Sequence, residues 1–516
     1  MRPETDNAAS STTSRISILS QDTTVLTAPC NAELPLSGTD SAPACTEEIY
    51  RKLALRVEHH TCWEKELEDP DIDLKKPSSS LIVTYLTSSF PKRRAQHALS
   101  DFKAWCNRRY RYTYPRTFSA IARAACTRNE RNILKRKFVS ALLLNPSSVS
   151  TQSAIRRLWE NIPVHQISRL DAPYPPVGHW MVDHEPIWSI WHHHLQHGKQ
   201  PDRRIPRKPM MRVDLALLQW DLQETSSAIF EDIVDGKPLM IVVRDICAVR
   251  EVVHWVNDIV LKNVASQRNV RVQDAGCIVI SGWSAGSRSK PAFDFVRNFL
   301  SAKTEEEKHS LRYEAASAFA FFWNMICALG PKEVLDDIDA FLSDSKIYSM
   351  DANCHAGGVE KTYTITVDDV PITFREARMA PPSGVFARNY ARPVHNEKQP
   401  HEWSIAWTTY RASHGKELGG HFYNCDYGIR VRSATNTCVF WKPLHYHGTS
   451  LQNVSPSEKG GPLIQSGLSI VTSPRLVSVF HQFVSGTISE RDLTSDCYTG
   501  EDDILSDQFG TSLSLQ

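Results

Sequence analysis

The chain has 516 residues, with 59 Lys and Arg against 58 Asp and Glu and a formal net charge of +1. That balance excludes a uniformly polycationic binder but leaves room for a local basic face. At about 150 residues per domain the length suits several units and a sizeable core. No run of about 18 apolar residues occurs, so no membrane span is expected. Twelve cysteines are scattered without a C-x-x-C pair. A thiolate zinc site and a disulfide framework are therefore not expected. The opening stretch, MRPETDNAASSTTSRISILSQDTT, has no apolar run after its basic residue. It does not read as a secretory signal. A nuclear or cytoplasmic protein with reduced thiols is expected.

Residues 1–45 are rich in Ser, Thr, Ala, Asn and Asp. They bury too little apolar surface to offset ordering entropy and are predicted to be disordered. Residues 46–208 read as a helical, basic N-terminal region, beginning with a helical pattern near Glu47–Leu67. Lys and Arg crowd residues 91–160, opposed only by Asp101, Glu130 and Glu160. Phe102, Trp105, Tyr110, Tyr112, Tyr114 and Phe118 interleave with them. Such a mixture suits phosphate contact and base stacking; the plainer reading is a solvated basic face on helices with aromatic cores. Pro173–Lys208 reads as an irregular crossing segment. Its histidines, His192, His193, His194 and His197, diverge in direction and have no acidic partner within a turn, so no metal site is expected there.

From Met210 the pattern is regular. Pro238–Asp245 and Cys277–Ser281 read as buried strands, and Val249–Asn263 as a helix. PAFDFVRNFL (291–300) looks helical. Lys303–Leu329 is a long helix with an acidic start, stopped by Gly330-Pro331. Alternating segments follow at Tyr363–Val367, Pro371–Arg375, Trp403–Arg411, Phe422–Arg432, Thr437–Trp441 and Gly467–Phe483. Many short strands joined by turns suggest a barrel or jelly roll over residues 209–485. Residues 486–516 form an acidic tail, expected to be mobile. The fold class is therefore α+β.

Two constellations could carry chemistry. Non-haem Fe(II) oxygenases hold iron with two His and one carboxylate, leaving positions open for co-substrate and O2. In extended chain, residues i and i+2 point the same way. His395 and Glu397 can supply two ligands from one strand, and His447 the third from another. Arg475 can clamp the far carboxylate of 2-oxoglutarate. By spacing alone, surface His and Glu in a loop is the competing reading, and His445 competes with His447. The second constellation is Gly282-Trp283-Ser284-Ala285-Gly286, a literal G-x-S-x-G between a strand and a helix-like stretch. A serine hydrolase would pair Ser284 with Asp336 or Asp351 and with His355. Against it, no oxyanion segment lies upstream, and the chain turns to hairpins downstream.

The stretches VHNEKQPHEWSIAWTTYR, LGGHFYNCDYGIRV, VFWKPLHYHGTSL and SGLSIVTSPRLVSVF together resemble the TET/JBP-type Fe(II)/2-oxoglutarate dioxygenases, most of all their fungal members. The likeness covers Arg392–Phe483. It implies a double-stranded β-helix (jelly-roll) core with flanking helices. It implies oxidation of a methylated base in DNA, typically 5-methylcytosine, with N6-methyladenine as an alternative. His395, Glu397 and His447 match the iron ligands, with His447 favoured over His445 because Gly448 follows it. Arg475 matches the 2-oxoglutarate clamp. The family more usually has H-x-D where this chain has Glu397, and the gap from His447 to Arg475 is long. His421 is expected to position its strand, and Trp403, Trp407 and Tyr410 to be core or pocket wall. The implied cofactors are Fe(II) and 2-oxoglutarate, the partners methylated DNA and O2, and the location nuclear. The competing function is a catalytically degenerate nucleic-acid-binding module on the same fold.

Overall fold

The computed structural model describes residues 42–59, 81–90, 92–110, 133, 135–138, 141, 149–198, 206–287, 290–300, 303–352, 363–367, 370–374, 378–412, 418–456 and 461–488. These fall into two compact units. One holds three helices, α1 (Ala42–His59), α2 (Leu81–Ser89) and α3 (Lys92–Tyr110). Tyr50, Leu53, Leu86, Phe102 and Trp105 form its core. Tyr50 meets Phe102 at 5.6 Å and Trp105 at 5.9 Å between ring centroids. Phe102 and Trp105 are thus packing residues rather than base-stacking ones. Tyr112, Tyr114 and Phe118 lie outside the described residues. A hairpin within residues 364–373 groups with these helices.

The other unit runs α4 (Val149–Glu160), β1 (Val164–Ile167), β2 (Trp180–Val182), α5 (Glu185–His197), β3 (Met210–Arg212), β4 (Trp220–Leu222), β5 (Ala228–Asp232), β6 (Pro238–Arg244) and α6 (Arg250–Ser266). Then come β7 (Ala275–Ser287), β8 (Lys290–Phe295), α7 (Glu305–Leu329) and α8 (Lys332–Ser345). The hairpin strands are β9 (Tyr363–Val367) and β10 (Val370–Phe374). Last are β11 (Ser383–His395), β12 (Ser404–Arg411), β13 (Phe422–Asn424), β14 (Ile429–Val431), β15 (Thr437–Trp441), β16 (His447–Thr449), β17 (Gln465–Ile470) and α9 (Pro474–Val484).

The pairing of β11 to β17 defines a double-stranded β-helix. In the larger sheet β11 pairs with β17, β17 with β12 and β12 with β15, all antiparallel. In the smaller sheet the end of β11 pairs with β16, β16 with β13 and β13 with β14, again antiparallel. The chain therefore alternates between two sheets, and β11 belongs to both. β6 extends the larger sheet beyond β15, and β7 extends it beyond β11. A parallel strand, β4, extends the smaller one beyond β14. Apolar side chains from both sheets meet between them: Met240, Val242, Val439 and Trp441 against Ile429 and Val431.

The outer face of the larger sheet is covered by α6 and α7. Phe319 of α7 meets Phe386 at 4.9 Å, and Phe322 stacks on Trp407 at 5.4 Å. Helix α7 starts where Thr304 and Glu307 form a reciprocal capping box and stops at Gly330. Gly384 sits under this helix: a Cβ there would lie 2.4 Å from the Phe319 ring. From α6, the Asn257 Oδ1 accepts from Thr409 Oγ1 at 3.0 Å and Ser466 Oγ at 2.6 Å.

Three sequence expectations change here. PAFDFVRNFL contains a strand, β8, because Phe293 and Phe295 alternate with Ala292 and Asp294 and pack against Trp283 of β7. The segment 467–483 is not one strand: Ser473 caps a helix with Pro474 at its first turn, so β17 gives way to α9. Pro173–Lys208 holds β2 and α5. Ile187 and Trp191 form the buried stripe of α5, and Trp191 Nε1 donates to the Gln452 carbonyl at 2.7 Å.

Candidate metal centre

His395 ends β11 and His447 begins β16, and the two are direct cross-strand partners. Glu397 lies just past β11, where its N–H donates to the Pro443 carbonyl at 2.8 Å. Ligand-type atoms of His395, Glu397 and His447 lie within 4.8 Å of one another. Among the described residues no other group of His, Cys, Asp and Glu converges in this way. The four histidines of α5 do not.

Both imidazoles are set the same way. His395 Nδ1 donates to the Pro393 carbonyl and His447 Nδ1 donates to the His445 carbonyl, each at 2.8 Å. Since a carbonyl can only accept, each ring keeps its proton on Nδ1 and offers the Nε2 lone pair. Burial lowers the pKa of both rings, and Arg392 pushes His395 further down. Burial alone would raise Glu397, but Arg392 and His395 outweigh it and hold the carboxyl well below its ordinary range. His395 Nε2 thus faces Glu397 Oε1 at 3.4 Å with no proton between them. Two lone pairs and a carboxylate converging in a buried place call for a cation. Two imidazole nitrogens and one carboxylate oxygen suit a divalent first-row metal and leave part of its coordination open.

Behind the triad is a buried charge cluster that sequence reading missed. Arg392 donates to Glu397 Oε1, and Arg271 Nη2 lies 3.5 Å from the same oxygen. Asp274 accepts from Tyr390 at 2.6 Å and lies 3.7 Å from Arg392 Nε. Arg392 therefore aims the carboxylate while Asp274 balances the arginines. The available signal was the repeated Arg in VFARNYARPVH, at a strand position otherwise apolar.

The triad opens on a cavity of about 270 Å³ between the sheets. Phe422 and Trp441 flank His447, each at 5.9 Å between ring centroids, and meet one another at 5.4 Å. Trp407, in contrast, is fully buried against α7. Trp403 is buried under Lys442.

The other proposed site residues lie elsewhere. Arg475 opens α9 and donates to the Gly286 carbonyl at 2.7 Å and the Ala285 carbonyl at 3.2 Å. It also donates to the Ser287 carbonyl. Its guanidinium thus binds the end of β7, and the structure does not bring it to the triad or to the cavity lining. Ser284 is in mid-strand on β7 with Asp294 opposite, so the strand–turn–helix setting of a nucleophile elbow is absent. Trp283 stacks on Phe293 at 4.7 Å, and the motif reads as packing. Asp336 pairs with Lys332 at the surface, and His355 lies outside the described residues. His445 turns to Tyr427, 5.3 Å away between centroids.

His421 holds backbone: its Nδ1 accepts from Ser433 N–H at 3.1 Å. Burial pushes its pKa from 6.5 down to about 4. Between those values the unfolded chain takes up a proton that the folded chain refuses. Stability should therefore fall as pH drops from 6.5 towards 4, by up to about 1.4 kcal/mol per pH unit for this group. Urea midpoints at pH 7 and pH 5 measure this. His421→Gln should flatten the slope, and an equal slope in the variant would remove His421 as its source.

No family model matches the sequence, and no curated protein matches it. Among solved structures, the chain is similar to NgTET1 in complex with 5mC DNA. They are 10% identical, with a TM-score of 0.29 over 50% of this chain and 80% of that one. It is also similar to an oxidoreductase of the 2OG-Fe(II) oxygenase family from Burkholderia pseudomallei. That pair is 12% identical, with a TM-score of 0.22 over 45% of this chain and 82% of the other.

Proposed function

We propose that this protein is an Fe(II)- and 2-oxoglutarate-dependent dioxygenase that oxidises methylated bases in DNA, acting in the nucleus. The observation that carries the reading is the buried His395–Glu397–His447 triad, with both Nε2 lone pairs turned inward at the wall of a cavity. The motif resemblance over Arg392–Phe483 supports the DNA-base substrate.

His395, Glu397 and His447 would hold the iron. When bound, iron with 2-oxoglutarate and O2 supplies the oxidising chemistry: the oxo acid becomes succinate and CO2, and one oxygen atom enters a methyl C–H bond. The chain's own part is placement. The Pro393 and His445 carbonyls lock the imidazole tautomers. Arg392 aims Glu397. Phe422 and Trp441, tilted 60° to one another, form an apolar aromatic corner beside His447, which would exclude water and offer a ring face to a base turned out of its stack.

Succinate release by iron-loaded protein, on methylated and unmethylated DNA, tests this. Release that rises with methylation supports the reading. Folded protein that binds no iron and releases no succinate overturns it. The second reading, a non-catalytic DNA-binding module, draws on the grip of Arg392 and Arg271 on Glu397. It requires DNA binding without metal uptake.

A further inference from the structure

The larger sheet presents its inner face to the cavity in cross-strand rows. Nearest the triad is Trp441, whose ring flanks His447. Two residues along β15 is Val439, in one row with Ala406, Ser469 and Val385. Two further is Thr437, and its row is different: Arg244, Thr437 and Thr408 are direct cross-strand partners. All three line the cavity. The polar row is thus separated from the triad end by one that is apolar except for Ser469, whose hydroxyl donates to the Ile405 carbonyl at 2.8 Å.

Arg244 is 7% exposed. Its Nε donates to the Ser226 carbonyl at 3.1 Å, and its Nη2 to the Gln223 and Arg432 carbonyls at 2.9 and 2.8 Å. Its Nη1 donates to Thr437 Oγ1 at 3.0 Å. These contacts fix the fork and leave one Nη1 proton unused. Each of these partners is neutral, and among the described residues no carboxylate forms an ion pair with it; Glu224 and Asp245 act on it only from farther off. Arg271 and Arg392, by contrast, already face Glu397 and Asp274. A buried guanidinium whose carboxylates do not touch it, at the edge of a cavity, is costly and gains from an anion that joins it there.

We infer that the cavity end opposite the triad is an anion subsite built on Arg244, which takes the distal carboxylate of a short dicarboxylate whose other end sits at the metal ligands. This rests on the proposed function and assigns to Arg244 the role that motif order gave to Arg475. Length agrees. From Trp441 to Thr437 the strand rises about 13 Å. A five-carbon dicarboxylate with a metal bond at one end and a hydrogen bond at the other reaches about 11 Å. Thr437 and Thr408 add hydroxyls at the same end, and Val439 and Ala406 offer an apolar wall to the methylene groups between.

The test is calorimetric, on the full chain with Mn(II) in place of iron. 2-Oxoglutarate is compared with 2-oxobutyrate, which has the same oxo-acid head and no distal carboxylate. Wild type should prefer 2-oxoglutarate by about 30-fold, the worth of a charge-assisted hydrogen bond. Arg244→Met should bring that ratio close to one while Mn(II) affinity stays unchanged. Arg475→Gln should keep the wild-type ratio. Arg244→Lys, which preserves the cation, and Thr437→Val, which removes its hydroxyl partner, should each narrow the ratio several-fold; they decide the matter where Arg244→Met does not fold. Equal affinity of wild type for the two acids, or loss of the preference in Arg475→Gln alone, overturns the inference and leaves the proposed function standing. Protein that takes up Mn(II) but neither acid, or no Mn(II) at all, overturns both.

Discussion

Alanine at His447 should reduce Mn(II) or Fe(II) affinity by at least about 100-fold and bring turnover to background, while the urea midpoint of the metal-free protein moves little. The magnitude exceeds the 10–100-fold that loss of a supporting residue costs, because a ligand itself is removed. Glu397→Gln should behave differently. It keeps the shape of the side chain but removes the charge that Arg392 and Arg271 face. Leaving buried arginines without their carboxylate costs about 3–5 kcal/mol. Both metal affinity and the urea midpoint should therefore drop. Isothermal titration with Mn(II) beside urea unfolding separates the two variants. A His447→Ala protein with wild-type affinity would remove His447 from the centre. A Glu397→Gln protein of wild-type stability would mean that the arginines have solvent or another anion to turn to.

The largest effect on stability alone is expected at Asp183, which follows β2. Its carboxylate is fully enclosed and accepts from Tyr423 and Ser450, with Arg430 Nη1 at 3.2 Å. Tyr423 comes from β13, Arg430 from β14, and Ser450 directly follows β16. The smaller sheet is thus tied to one anion. Asp183→Ala would orphan two buried hydroxyls and one face of Arg430, at a cost of about 3–5 kcal/mol in urea unfolding. Arg430 would keep Asp221, at 2.8 Å, which limits the loss. The damage should also reach the metal centre, because Tyr423 pairs with Gly448 and Asn424 with His447. Mn(II) affinity should fall although Asp183 touches no ligand. An unchanged affinity would show that β16 holds its register without this anchor.

The converging triad was legible because its signal is local. His395 and Glu397 are two apart in extended chain, and the glycine after His447 marked it out from His445. The long helix was equally legible through its caps at Thr304 and Gly330. What escaped was set by partners distant in sequence. Arg244 follows five apolar residues and looks like the exposed end of a buried strand. Only its pairing with Thr437 turns it inward. Arg475 keeps the expected place in motif order, but Ser473 and Pro474 start a helix that carries it to the carbonyls of β7. In Phe293 and Phe295 the period of two was present, but a short apolar run fits helix and strand alike until its neighbour is known.

His395 and His447, as direct cross-strand partners, form one rung of a ladder. A metal held between them would staple β11 to β16 and close the long loop that separates them in the chain. The unfolded polymer cannot offer that pair except by paying the closure entropy first. Under the proposed function, metal uptake would then be a fastening step in assembly as well as a chemical one. At a free concentration one hundred times the dissociation constant it would add about 2.7 kcal/mol to the folded state. A chelator should accordingly lower the melting temperature, and the barrel itself becomes a gauge of how fully the centre is loaded.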